Sequence, residues 1–213
     1  MIITIDCWGT LLKASPTFKK SKVELVKEYF PSLKNNDEHI NKCFNDTKKL
    51  FNDVIENSGG CQPTIINVFT YLLSKLNMVY NKFEFLDEFI ERYQMMAFTD
   101  GPTIYSEETL EIIEKLSKDA KLVISSNTMF ICGDVLLDFL SRTGLAKFFK
   151  EALFSDQQQV AKPHVKMYHN SQFHIGDNEI TDVIGANNAG SCGILINSNN
   201  KTIRDAYNFI IQK

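Results

Sequence analysis

The chain predicts an α/β protein: a parallel, doubly wound sheet with an α-helical insertion directly after its first strand. Three observations carry this. Short β-branched or aliphatic runs recur, each ending abruptly in polar residues, from Ile2-Ile3-Thr4-Ile5 into Asp6 to Gly193-Ile194-Leu195-Ile196 into Asn197. From about residue 103 onward such runs alternate with helical stretches, the pattern of parallel βαβ units. Residues 15–99 break that rhythm, carrying helical periodicity and no strand pattern.

The first strand stops at Asp6-Cys7-Trp8-Gly9-Thr10. In the insertion, Val23 to Phe30, Phe44 to Ile55, Ile65 to Leu76 and Phe83 to Met96 predict amphipathic helices, punctuated by Pro16, Pro31, Gly59-Gly60 and Pro63. Their apolar faces are expected to form the insertion's own core. The chain re-enters the sheet region near Gly101-Pro102. Glu107 to Ser117 then places Leu110, Ile113 and Leu116 at three-residue steps, with acids early and Lys115 late, as the helix dipole favours. Leu122-Val123-Ile124 runs into Ser125-Ser126-Asn127-Thr128, and Phe173-His174-Ile175 runs into Gly176-Asp177-Asn178. Ala152-Leu153-Phe154 is a weaker strand candidate. Val135 to Leu140, Asp182 to Ala189 and Ile203 to Ile211 are the remaining helices. The domain reading is a core over residues 1–14 and 100–213 with a helical cap over 15–99.

Composition excludes several classes of function. With 213 residues, 44% apolar and 23% charged, the chain fits a globular core with a modest insertion. Twenty-three basic against 26 acidic residues give −3, which offers nothing to nucleic acid or anionic lipid. Five scattered cysteines without a CxxC pair support neither a disulfide framework nor a zinc site. The opening apolar run meets Asp6 too soon for a signal peptide, and no run approaches a membrane span. The expectation is a soluble, cytoplasmic protein with reduced thiols.

In an open parallel sheet, function gathers at the carboxyl ends of the strands. There this sequence puts Asp6 and Thr10, Ser126 and Asn127, Asp177 and Asp182, with Lys162-Pro163 in a loop after the weaker strand. Taken singly, each has an ordinary reading: Asp6 as a helix N-cap, Ser126 and Asn127 as turn residues, Lys162 as a solvated cation, Asp182 as a helix-start acid. The four histidines have no ligand spacing and read as ordinary. Together the strand-end residues suit phosphoryl transfer. A carboxylate attacks phosphorus, a hydroxyl and an ammonium hold the equatorial oxygens, and facing acids accommodate Mg²⁺.

These residues resemble the haloacid dehalogenase-like (HAD) superfamily of Rossmann-like hydrolases. The first motif of that family matches Ile5-Asp6-Cys7-Trp8-Gly9-Thr10-Leu11, the second Ile124-Ser125-Ser126-Asn127, the third Lys162-Pro163, and the fourth Gly176-Asp177 with Asp182. All four occur in order, and the insertion resembles the family's helical C1-type cap. The resemblance implies Asp6 as nucleophile and metal ligand, with Asp177 and the Trp8 carbonyl as further Mg²⁺ ligands. Ser126, Asn127 and Lys162 would bind a small phosphorylated substrate, and Gly9, Thr10 and Asp182 would support them.

The match departs at Trp8. Family phosphatases carry an Asp there, which protonates the leaving group and then activates water; indole only donates hydrogen bonds. An aromatic at this place resembles the 2-haloacid dehalogenases, which attack carbon with the same Asp but use a cap Arg. No Arg lies between Asp6 and Arg92, and lysines such as Lys34, Lys42, Lys48 and Lys49 do not reproduce a bidentate clamp. The reading is therefore a Mg²⁺-dependent phosphatase or phosphotransferase with reduced acid catalysis. The alternatives are a dehalogenase and a catalytically impaired phospholigand-binding protein.

Overall fold

The computed structural model describes residues 1–76, 85–197 and 201–213. The expected start of the fourth cap helix at Phe83 and the end of the polar run after Asn197 lie outside the described residues. Among those residues, strands β1 (Ile2–Ile5), β4 (Lys121–Ser126), β5 (Phe149–Phe154), β6 (Phe173–Gly176) and β7 (Cys192–Leu195) form one sheet. Its order is β5-β4-β1-β6-β7, and every pairing is parallel. β1 pairs Ile3 with Leu122 on one side and with Phe173 on the other. The chain builds outward from β1 to β5, then crosses to β6, so the order reverses beside β1. That reversal leaves a crevice at the carboxyl ends of β1, β4 and β6.

The central strands are buried because both faces are covered, which is why they read as continuous apolar runs. Ile3, Ile5, Leu122, Ile124 and Ile175 are fully buried. Flanking helices are α5 (Thr109–Asp119), α6 (Gly133–Arg142) and α9 (Ile203–Ile210), with a short α7 (Ser155–Gln158) directly after β5 and α9 started by a Thr202–Asp205 capping box. The weak strand candidate at Ala152 is the last part of β5, six residues on the sheet edge. The helix expected from Asp182 starts earlier. A π-helical turn over Glu179–Ile184 precedes a short α8 (Gly185–Asn188), because Asn178 Oδ1 accepts from both Ile180 N (2.8 Å) and Thr181 N (2.9 Å).

Between β1 and α5 the chain forms α1 (Pro16–Tyr29), α2 (Asp37–Asn57), α3 (Ile65–Lys75) and α4 (Leu86–Asp100). The first three N-termini show why they start there, whereas α4 has no capping side chain. Ser15 Oγ accepts from Phe18 N with Pro16 in the first turn, Asn36 caps α2, and Thr64 and Asn67 form a capping box. Two short strands, β2 (Leu12–Ala14) and β3 (Pro102–Ile104), pair antiparallel where the chain leaves for these helices and returns. Neither has a legible pattern in three residues. Ser15 Oγ also donates to Asp100 O (2.7 Å), tying the two ends together.

The four helices share an aromatic cluster with the loop after β4. Phe130 packs against Phe44 (5.4 Å) and Phe69 (5.7 Å), and Tyr93 packs against Phe69 (5.0 Å). Gln94 on α4 grips the same loop, donating to Phe130 O (2.8 Å) and accepting from Cys132 N (3.0 Å). The helices are thus held over the crevice. All five cysteines are free thiols, and no helix among the described residues is long and apolar enough to cross a membrane.

Candidate active site

Asp6 follows β1 directly; its N–H donates to Ile175 O (2.8 Å), and its side chain points into the crevice, 5% exposed as a residue. Lys162 is 1% exposed, a burial that Lys tolerates only when paired. Its Nζ donates to Asp6 Oδ1 (2.8 Å) and Asp182 Oδ1 (2.6 Å). Asn127 positions this lysine from β4's end: Nδ2 donates to Lys162 O (2.9 Å), and Oδ1 accepts from Lys162 N (2.7 Å). The Asn127 amide, expected to contact substrate, is therefore turned largely to Lys162. Ser126 Oγ and Thr10 Oγ1 are buried with no partner among the described residues. An unpaired buried hydroxyl is costly, and an acceptor beside either one would relieve that cost.

Asp6, Asp177 and Asp182 converge, each offering an oxygen within 4.8 Å of the others. Their roles differ. Asp182 is saturated: Oδ1 accepts from Lys162 and His174, and Oδ2 accepts from Asn178 N (2.9 Å). Asp177 makes no side-chain hydrogen bond to another described residue and keeps an open face to the cavity. Gly9 makes this approach possible. It adopts φ +88°, and a Cβ there would lie 2.2 Å from Asp177 Oδ2. A Cβ at Gly176 would similarly lie 2.2 Å from Asp182 Cγ. The glycines of both motifs thus make room for the carboxylates.

The electrostatics follow from three acids around one ammonium. Desolvation, then Asp6 and Asp182, push the Asp177 carboxyl up to about 7. Burial also raises Asp6, against the pull of Lys162. Burial would raise Asp182 as well, but Lys162 and the His174 hydrogen bond outweigh it and hold it below the usual range. Burial disfavours charge on Lys162, yet Asp182 and Asp6 together keep the ammonium above its ordinary value. The donor set is all oxygen, carries excess negative charge and is only partly hydrogen-bonded, which fits a hard divalent cation.

His174, read as ordinary from sequence, belongs to this network. Burial lowers its pKa, so the ring is neutral. Because a carboxylate only accepts, His174 Nε2–H donates to Asp182 (3.0 Å) and Nδ1 accepts from Thr4 Oγ1 (2.8 Å). Thr4 then accepts from Ser171, and Ser171 from Ser191, each at 2.9 Å. The only sequence signal for this relay was a polar residue at an inward position of two buried strands.

A cavity of about 610 Å³ opens above the acids, walled by Trp8, Phe18, Phe44, Tyr93 and Phe130 among others. Trp8 packs edge-on against Phe18 of α1 (6.4 Å), joining the β1 loop to the helices above. None of the three arginines is among the described residues that line the cavity. Arg92 pairs with Glu28, Arg204 with Glu108, and Arg142 donates to Phe98 O.

The family model for haloacid dehalogenase-like hydrolases matches residues 3–196. The chain belongs to this family. The match spans every strand of the central sheet, so the haloacid dehalogenase-like fold includes the segment that carries the cavity's upper wall. Among solved structures, Bacillus subtilis YfnB in a magnesium-bound crystal is similar at 17% identity and TM-score 0.73, covering 99% of this chain and 98% of that one. L-2-haloacid dehalogenase from Xanthobacter autotrophicus is similar at 16% identity and TM-score 0.63, covering 99% and 82%. A HAD phosphatase from Thermococcus onnurineus is similar at 18% identity and TM-score 0.59, covering 98% and 97%. No curated protein sequence matches significantly. At these identities the likeness is one of fold, and haloacid dehalogenase-like hydrolases of both phosphate and haloacid type share it.

Proposed function

We propose that this hydrolase transfers the phosphoryl group of a small phosphorylated molecule through an aspartyl-phosphate on Asp6. The observation that carries the reading is the charge imbalance at the crevice: Asp6, Asp177 and Asp182 face one another with Lys162 as their single close cation among the described residues, and Asp177 has no partner. Mg²⁺ would be held by Asp6, Asp177 and the Trp8 carbonyl, and when bound it neutralises charge on the acids and on the phosphoryl oxygens. Residues 15–99 serve as the cap over a core of 1–14 and 100–213.

The chain's own residues divide the chemistry. An Asp6 carboxylate oxygen attacks phosphorus, forming the acyl-phosphate bond as the bond to the leaving oxygen breaks. Lys162 favours the ionised form of Asp6 and aligns it and, with the Ser126 hydroxyl, offsets charge on the equatorial oxygens. Asn127 holds Lys162, Asp182 fixes it from the other side, and Gly9 and Thr10 shape the loop. Trp8 supplies neither an acid for the leaving group nor a base for water. General acid–base catalysis is worth about 10²–10⁴-fold, so roughly 3–5 kcal/mol of transition-state stabilisation is missing.

One observation favours a second reading: the aromatic at position 8, which resembles the haloacid dehalogenases. Against it, no guanidinium lines the cavity among the described residues to clamp a carboxylate and halide. A substrate panel with Mg²⁺ or with a chelator tests both. Phosphate release from aryl and acyl phosphates with Mg²⁺ is expected, and halide release from L-2-chloropropionate at background. Steady halide release independent of metal makes the protein a dehalogenase; no release from any substrate leaves a phospholigand-binding protein.

A further inference from the structure

The cavity is lined by a second group of charged side chains besides the acids. Lys19 and Lys22 of α1 and Lys48 of α2 all line it. Among the described residues, none of the three forms an ion pair. This is not the habit of the helix, since Lys27, also on α1, binds Glu24 (3.0 Å) and Asp37 (2.7 Å). Lys22 is half-buried, with Nζ 4.6 Å from the Phe44 ring centroid. Burial, then Lys19 and Lys48, hold its ammonium below the ordinary value, so the three cations share one region. Facing like charges without a counter-ion repel each other.

The neighbouring residues fit an incoming anion. Asn41, Asn45, Lys48 and Asn52 fall at i, i+4, i+7 and i+11 of α2, one helical face, and all four line the cavity. Asn45 and Asn52 make no side-chain hydrogen bond among the described residues, so their amides are available as donors. Glu56 lies on the same wall but about 12 Å further along the helix axis than Lys48, next to Asn178. Aromatic side chains line the same cavity: Phe44 beneath Lys22, Phe18 against Trp8, and Phe130.

We propose that Lys19, Lys22 and Lys48 form a distal anion subsite, and that the substrate is a small phosphomonoester with a second anionic group, carboxylate or phosphate, remote from the transferred phosphoryl. The proposal rests on the phosphoryl-transfer reading for which end of the substrate Asp6 receives; the subsite itself is tested without turnover. The probes are a chain-length series of alkylphosphonates ending in methyl, carboxylate or phosphonate, titrated calorimetrically into the whole protein with Mg²⁺. At the best-fitting length, a second anion should tighten binding by about tenfold or more over the methyl terminus. The advantage should shrink at high salt and fall in both Lys22→Gln and Lys48→Gln. Whichever terminus gains more names the second group.

Equal affinity for all termini at every length overturns the subsite, as does binding of no phosphonate or an advantage untouched by both substitutions. Phosphate release from the substrate panel is read separately. If it fails while the terminal-anion preference persists and responds to the lysine variants, the subsite stands and the Asp6 reading falls. If phosphate is released but indifferently to a second anion, the Asp6 reading stands and the subsite falls.

Discussion

Asp6 sits between a cation that favours its ionised form and burial that opposes it, so its chemistry and its stability contribution separate. In Asp6→Asn the amide oxygen still accepts from Lys162, and repulsion with Asp177 and Asp182 is relieved. The variant should melt within about 5 °C of wild type, a shift of ~1–2 kcal/mol for a chain of this size, while phosphate release falls to background. Retained turnover would make Asp6 structural. Trp8 is the converse case, a residue whose chemistry is absent and whose packing is present. Wild type should cleave aryl and acyl phosphates far better than alkyl phosphates, because only the latter need a proton on the leaving oxygen. Trp8→Asp should raise alkyl-phosphate turnover by up to about 10²–10⁴-fold. It also removes the contact with Phe18, so its melting curve is compared first. A folded Trp8→Asp without gain, beside a wild type indifferent to the leaving group, would favour the binding-protein reading.

At the scale of elements, the site is an agreement between loops that start on different strands. The β1 loop turns at Gly9 to admit Asp177 from the end of β6, and Asn197 Nδ2 donates to Gly9 O (2.5 Å) from beyond β7. Gly9→Ala places a methyl against the Asp177 carboxylate and forces a residue with a side chain into φ +88°. The backbone strain alone costs about 1–3 kcal/mol. The expected result is a lower denaturant midpoint together with loss of the thermal stabilisation by Mg²⁺, since Asp177 must move. A Gly9→Ala protein that kept its full response to Mg²⁺ would show that Asp177 does not reach the ion from this position. The loop after β4 works the same way: Asn127 reaches Lys162 at one end, and Phe130 anchors the aromatic cluster at the other.

For the whole molecule, the acid cluster couples stability to pH and, on the proposed reading, to Mg²⁺. Asp177 rises from an ordinary 3.8 to about 7, so between these values the folded chain holds more protons than the unfolded chain. Stability from this group therefore decreases as pH rises from about 4 to 7. Asp182 has the opposite sign: held low in the fold, it stabilises above its ordinary 3.8, and that contribution is lost as pH falls below it. Mg²⁺ held as proposed would need the carboxylates ionised and would relieve their repulsion. The rise in melting temperature on adding Mg²⁺ should be larger at pH 8 than at pH 5.5 and vanish with chelator. An equal rise at both pH values would remove Asp177 from the metal site.

The fold class, the positions of the main strands along the chain and the strand-end candidates are legible locally, because buried parallel strands need unbroken β-branched runs and stop at polar residues. Ile2–Ile5 before Asp6 and Leu122–Ile124 before Ser126 are local signals, legible in a few consecutive residues. The sequence did not reveal β2 and β3, whose pairing depends on bringing residues 12–14 beside 102–104. Tertiary packing makes His174 the neutral partner of Asp182, turns Asn127 toward the backbone of Lys162, and brings Lys19, Lys22 and Lys48 to one cavity. The physical reason is distance along the chain. Burial and hydrogen bonding act between residues more than a hundred positions apart, such as Thr4 and His174, and no local pattern records which polar groups will meet or which charges will be left without a partner.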